Sequence, residues 1–237
     1  MKLKILSSNA LKILASIFML LDHIGLLLFP HIGWLRIIGR LAYPIYAFMI
    51  SQGCIYTKNK LRYFLQVAGL AVLCQIPYFL YNGSTYMSIL VTFSLSILII
   101  YALDYFKKQI FAKNIAKSVL GAVLVITAVS GTYIFNRIFM VDYGFIGSLV
   151  PVLASLFTKP DEKPENSNLS IATLTLGLIV LSINIGWIQH YSLLAVPLLL
   201  AYNGKRGRLN LKYYFYIFYP LHLLVLQVMQ SIILINR

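Results

Sequence analysis

Four ionisable residues stand close together early in the chain: Asp22 and His23 in one apolar run, Arg36 and Arg40 in the next. Two more follow at wider spacing, Asp142 at the edge of a later run and His222 just after Pro220. An ionisable side chain inside hydrocarbon costs on the order of 2.5–3.5 kcal/mol on insertion scales, so residues retained there tend to mark a site. Arg36 and Arg40 are one helical turn apart and share a face, which can present two guanidinium groups to Asp22 or to an anionic substrate. Asp22 and His23 are neighbours and point about 100° apart, so they are expected to do different things. Neutral imidazole is a competent general base near physiological pH, and an acyl transfer needs such a base to take a proton from an incoming amine or hydroxyl. The plainer alternative is a structural ion pair between Asp22 and an arginine, with His23 bonded to a nearby carbonyl and His222 packed in a helix bundle. His31 and His190 fall at the boundaries of apolar runs and read as interfacial residues.

The elements that must hold these residues are transmembrane helices. Of 237 residues, 60% are apolar or aromatic and only 11% are charged, with a mean hydropathy of +0.82. A soluble domain carries charge on about a quarter of its residues. Soluble enzyme folds, nucleic-acid readers and secreted disulfide scaffolds are therefore excluded. A spanning helix needs about 20 residues, and by that ruler the chain is an all-α polytopic bundle of about nine spans (eight to ten). They run at about 10–30, 34–57, 62–81, 86–106, 114–136, 142–157, 169–186, 188–203 and 212–233, forming a single domain over residues 1–237. The first run is too long for a secretory signal and is read as a retained helix. The hydrophilic stretch from Lys159 to Asn168, with two prolines, reads as a loop. Cys54 and Cys74 lie in apolar runs and suggest neither a disulfide nor a metal site.

Net charge is +14, from 20 Lys and Arg against six carboxylates. Sixteen of the cations fall at the amino terminus or in the gaps 58–62, 107–117, 158–168 and 203–212. The gaps near 31–33, 82–85 and 187–190 hold none. This is the positive-inside pattern and places the amino terminus in the cytoplasm, with Arg137 the one exception. On that topology the first two spans form a hairpin turning outside near Gly33. His23 and Arg40 then lie level, roughly 10 Å in from the outer side. His222, about ten residues into the last span, falls roughly 15 Å from the cytoplasmic face. In the gap from Tyr202 to Asn210, Lys205 and Arg206 stand between Gly204 and Gly207, a set suited to phosphate oxygens or simply to a positive-inside loop.

Several blocks carry a family resemblance. They are Leu20-Leu-Asp-His-Ile-Gly25, Gly39-Arg-Leu-Ala-Tyr-Pro44, Cys74-Gln-Ile-Pro-Tyr78, Asp142-Tyr-Gly144, Leu199-Leu-Ala-Tyr-Asn-Gly-Lys-Arg-Gly207 and Phe218-Tyr-Pro-Leu-His222. With these the chain resembles the TraX family of integral membrane proteins, named for a conjugation-plasmid protein that N-acetylates F-type pilin. The family looks like a branch of the transmembrane acyltransferases. The resemblance implies an enzyme of the bacterial cytoplasmic (inner) membrane that transfers acetyl from cytosolic acetyl-CoA to an outer acceptor. That acceptor is a peptide, glycan or lipid amine or hydroxyl, with the pilin amino terminus as precedent. Partners are then the lipid bilayer, acetyl-CoA and the acceptor, with no metal and no nucleic acid. His23 is the implied base, with Asp22 and Arg40 beside it and His222 as the second histidine. Arg36, Asp142 and Gln75 are assigned to the acceptor, and Lys205, Arg206 and Asn203 to the donor's phosphates. Transfer can be direct or pass through an acetyl-imidazole. Rival readings from the same residues are a proton-coupled transporter using Asp22, His23 and His222 as a relay, or a non-catalytic membrane partner whose charges fix helix register.

Overall fold

The computed structural model describes residues 4–158, 167–208 and 211–235. Among them all regular structure is helical, with two isolated bridges, Leu6 with Tyr202 and Met87 with Val141. The helices are α1 (Ser8–Leu27), α2 (Gly33–Gly39), α3 (Ala42–Tyr56), α4 (Lys60–Asn82), α5 (Ile89–Phe111), α6 (Ile115–Ile138), α7 (Gly144–Ser155) and α8 (Ser167–Ile185). A 3₁₀ segment (Trp187–Ala195), α9 (Val196–Leu200) and α10 (Lys212–Ile235) follow. The stretch expected to be a loop at Lys159–Asn168 lies largely outside the described residues.

Helical structure occurs at each of the nine expected positions. Six of the helices, α1, α4, α5, α6, α8 and α10, contain stretches long and apolar enough to cross a membrane. Their outward faces carry bare aliphatics such as Leu80, Ile115, Ile126 and Ile183, a surface that water would not tolerate and lipid does. Two expected spans differ from a single α-helix. The second, about 34–57, is α2 and α3 separated at Arg40 and Leu41. Pro44 explains the break, because a proline ring collides with the carbonyl four residues before it, here that of Arg40. The eighth, about 188–203, is a nine-residue 3₁₀ segment ending in the short α9, with Pro197 at the junction.

Helix starts follow side-chain capping. Ser7, Asn59 and Asn114 each accept a hydrogen bond from the amide three residues on, at the starts of α1, α4 and α6.

The chain divides into two compact units. Unit 1 comprises residues 1–46 and 182–237, and unit 2 comprises residues 47–181. In unit 1, α1 packs on α2 and on α10, and the 3₁₀ segment packs on α2. In unit 2, α5 packs against α4, α6 and α7. Ser96 on α5 donates to the Ser148 carbonyl of α7 at 2.7 Å, a polar tie of the kind that joins helices in hydrocarbon. A Cβ on Gly121 would stand 2.8 Å from the Phe106 Cα, so α5 and α6 meet closely because that residue has no side chain.

Candidate functional site

The chemistry in unit 1 begins with a close helix approach. A Cβ at Gly39 would lie 2.3 Å from the Asp22 Cβ, and one at Gly25 would lie 2.7 Å from the Leu35 Cβ. Two glycines thus let α1 and α2 come within backbone distance, which brings Asp22 under the arginine face of α2. Arg36 Nη1 donates to Asp22 Oδ2 at 2.7 Å, and Arg40 Nη2 lies 2.5 Å from both carboxylate oxygens. The side chains of Asp22 and Arg40 are 13% and 11% exposed. A carboxylate and guanidinium so far from water hold their charge only by pairing. Both arginines are thus engaged with Asp22.

His23 points away from that pair. Its Nδ1 lies 2.8 Å from the Met19 carbonyl, and His222 Nδ1 lies 2.8 Å from the Phe218 carbonyl. A carbonyl can only accept, so each Nδ1 carries the proton and each Nε2 keeps its lone pair. The rings meet edge to face with centroids 5.1 Å apart. His222 is stacked on Phe218 at 4.9 Å and meets Tyr219 at 5.6 Å. It is buried, and its Nε2 has no hydrogen-bond partner. A buried acceptor without a donor is costly, so the His222 lone pair stands as a base without a proton to take. In the 3₁₀ segment of the same unit, Gln189 and Ser192 are also buried with unpartnered side-chain atoms.

Lys205, Arg206 and Asn203 sit elsewhere in unit 1, at the amino-terminal end of α1. Ser8 and Asn9 amides donate to the Lys205 and Arg206 carbonyls at 2.8 and 3.1 Å, and Asn203 Oδ1 accepts from the Lys205 amide at 2.9 Å. Gly204 and Gly207 have φ of 74° and 94°, a backbone region that other residues rarely adopt. The loop therefore caps α1 through its backbone and leaves both cationic side chains exposed. Ser8 to His23 is about 22 Å along the helix, so a donor held by this loop must reach that far to meet the histidines. Lys12 lies over the Phe215 ring at 5.6 Å. Taken with the contact of His23 to His222, this means α1 and α10 run parallel.

Gln75 and Asp142 belong to unit 2, where they lace the segment before α5. Gln75 Nε2 donates to the Tyr86 carbonyl at 2.9 Å, and its Oε1 lies 3.4 Å from the Ser88 amide. Tyr86 Oη donates to Asp142 Oδ1 at 2.9 Å, and Thr92 Oγ1 donates to the Asp142 carbonyl at 2.6 Å. Burial, and then the adjacent carboxylate, push the Tyr86 phenol well above its ordinary value, which keeps it a donor.

Unit 2 also holds a feature that the sequence reading passed over, a recess of about 320 Å³ lined by Lys58, Lys60, Lys107, Lys108, Asp104 and Thr158, among others. Lys60 pairs closely with Asp104, and Lys108 lies 3.9 Å from the same carboxylate. Lysines from the gaps at 58–62 and 107–117 thus meet at one end of unit 2, with Ser155 and Thr158 alongside. Asp104 and Lys108 at helical spacing, in a chain with six carboxylates, were the available signal.

No group of His, Cys, Asp or Glu that could hold a metal ion occurs among the described residues. The family model described as TraX protein matches residues 7–230. The chain belongs to the TraX family. A relative in Dichelobacter nodosus, the probable fimbrial assembly protein FimC of serogroup H1, is 27% identical, over 93% of this chain and 94% of its own. A second, the uncharacterized protein RP591 of Rickettsia prowazekii (strain Madrid E), is 46% identical over 54 residues, covering 23% of this chain and 21% of its own. No solved structure matches the chain. The TraX match runs through both units and includes the glycines, the arginine pair and both histidines.

Proposed function

We propose that this TraX-family protein is a membrane acetyltransferase that moves acetyl from cytosolic acetyl-CoA to an amine or hydroxyl acceptor on the outer side of the bacterial inner membrane. The name of the Dichelobacter relative makes a fimbrial subunit's amino terminus the first acceptor to try. The observation that carries the reading is the meeting of His23 and His222, each with its proton on Nδ1 and its lone pair on Nε2. In the transfer, the acceptor nitrogen attacks the thioester carbonyl. A C–N bond forms, the C–S bond breaks, and the acceptor's proton passes to His23 Nε2 and from there to the departing thiolate. Asp22, Arg36 and Arg40 fix α1 against α2, and so set where His23 stands.

The relay reading is weaker because Asp22 is engaged on both oxygens by Arg36 and Arg40. Purified protein in lipid, supplied with labelled acetyl-CoA and an amino-terminal fimbrial peptide, tests the proposal. Label enters the peptide with the wild type and is lost with His23→Ala. An absence of label in every peptide, glycan or lipid amine offered, together with ion-driven flux through the same vesicles, would overturn it.

A further inference from the structure

The recess of unit 2 has no part in the mechanism above, and its lining is chemically one-sided. Four ammonium groups, on Lys58, Lys60, Lys107 and Lys108, face a single carboxylate, Asp104. Three of the four are engaged within the protein, Lys108 lying 3.9 Å from Asp104. Lys60 pairs with Asp104 and lies over the Tyr101 ring at 5.2 Å. Lys107 donates to the carbonyls of Ser155 and Thr158 at 2.8 and 3.2 Å, which supplies positive charge to the carboxyl end of α7. Lys58 is exposed and has no hydrogen-bond or ion-pair partner among the described residues. On the same wall, the buried Thr158 Oγ1 has no partner either. Like charges crowded into a recess repel one another and focus an attractive field on anions.

Ordinary positive-inside lysines point into open solvent or toward lipid headgroups along helix ends. These converge from two separate chain segments, with a third supplying Ser155 and Thr158, on a space of about 320 Å³, the lower end of the range for small-molecule sites. The donor set consists of point-charge ammonium groups and a hydroxyl, which suits phosphate oxygens. We propose that this recess binds a phosphate group, carried either by a soluble phosphorylated molecule or by an anionic lipid headgroup. Lys58, the unengaged ammonium, is its principal contact, and Lys60, Lys107 and Lys108 line its walls. The site stands whether or not the protein transfers acetyl groups.

The test uses the full chain in phosphatidylcholine nanodiscs, titrated calorimetrically with adenosine 3′,5′-bisphosphate. A parallel arm uses discs containing phosphatidylglycerol and reads retained lipid by native mass spectrometry. Lys58→Gln with Lys108→Gln leaves the Asp104–Lys60 pair and the Lys107 ties in place. Lys113→Gln with Lys117→Gln removes equal charge from exposed positions outside the recess. We expect the recess pair to weaken one of the two ligands by about 10-fold or more, since a charge-assisted hydrogen bond is worth roughly that factor. The control pair should change binding less than about twofold. Bisphosphate binding identifies a soluble source, and selective phosphatidylglycerol retention identifies a lipid source. Lys58→Gln alone alters an exposed, unpartnered side chain, so it gives a readout even if the double variant misfolds. Binding of neither ligand, or equal weakening by both pairs, overturns the proposal.

Discussion

Units 1 and 2 both gather charge among apolar helices, and they use it in opposite ways. In unit 1, one carboxylate is enclosed by two guanidinium groups, and each histidine ties its proton to its own helix. What remains uncommitted there is the lone pair of His222 Nε2, beside the His23 ring. In unit 2, the Asp104 carboxylate is shared between Lys60 and Lys108, and what remains is positive charge around a recess. The first arrangement suits proton transfer and the second suits holding an anion. Within hydrocarbon, the residues that are already paired define a site less than those left over.

The largest effect that would break this contrast is at His23. His23→Gln keeps the polarity but removes the base, and should lower the turnover of labelled acetyl by about 10²- to 10⁴-fold, while the recess variants keep unit 1 intact. Equal loss of turnover on changing Lys113 would sink the distinction. Next is Asp22→Asn, which takes the charge partner from the buried Arg40 and the half-buried Arg36. A loss of about 3–5 kcal/mol in stability is expected, as for removal of one partner from a buried ion pair, and is read from chemical unfolding in micelles. Lys58→Gln should stay within about 0.5 kcal/mol in the same assay.

A sharper and smaller comparison lies within unit 1 itself. Gly39→Ala drives a methyl group into Asp22 and should cost about 1–3 kcal/mol, as overpacking does, with a fall in turnover as His23 moves. Gly33→Ala meets nothing within 4 Å and should be close to neutral by the same measurement. Smallest is Ser96→Ala in unit 2, which removes the tie to α7 for about 0.6 kcal/mol, the usual worth of a hydrogen bond between membrane helices.

Much of this was legible in the sequence, for reasons that differ by region. Hydropathy located the nine helical positions because lipid-facing stretches must be apolar along their whole length. Counting outward from the turn near Gly33 put His23 and Arg40 at one level, and the structure seats Arg40 on Asp22, the neighbour of His23. His222 was placed by depth alone. Its partner depends on α1 and α10 running side by side, and no local spacing encodes that. The break at Arg40 was encoded in Pro44, although hydropathy does not register a lost hydrogen bond. The recess escaped notice because Lys58, Lys107 and Lys108 look individually like any lysine at a helix end. Only their convergence from two distant segments on one recess distinguishes them.

The tethering of each imidazole to the carbonyl one turn back on its own helix has a mechanical consequence. Neither ring can swivel without giving up that bond, so their separation is a gauge of how far α1 slides along α10. A spectroscopic probe of ring spacing would therefore read the breathing of the bundle, and anything that shifts one of these two helices would retune the pair without touching it.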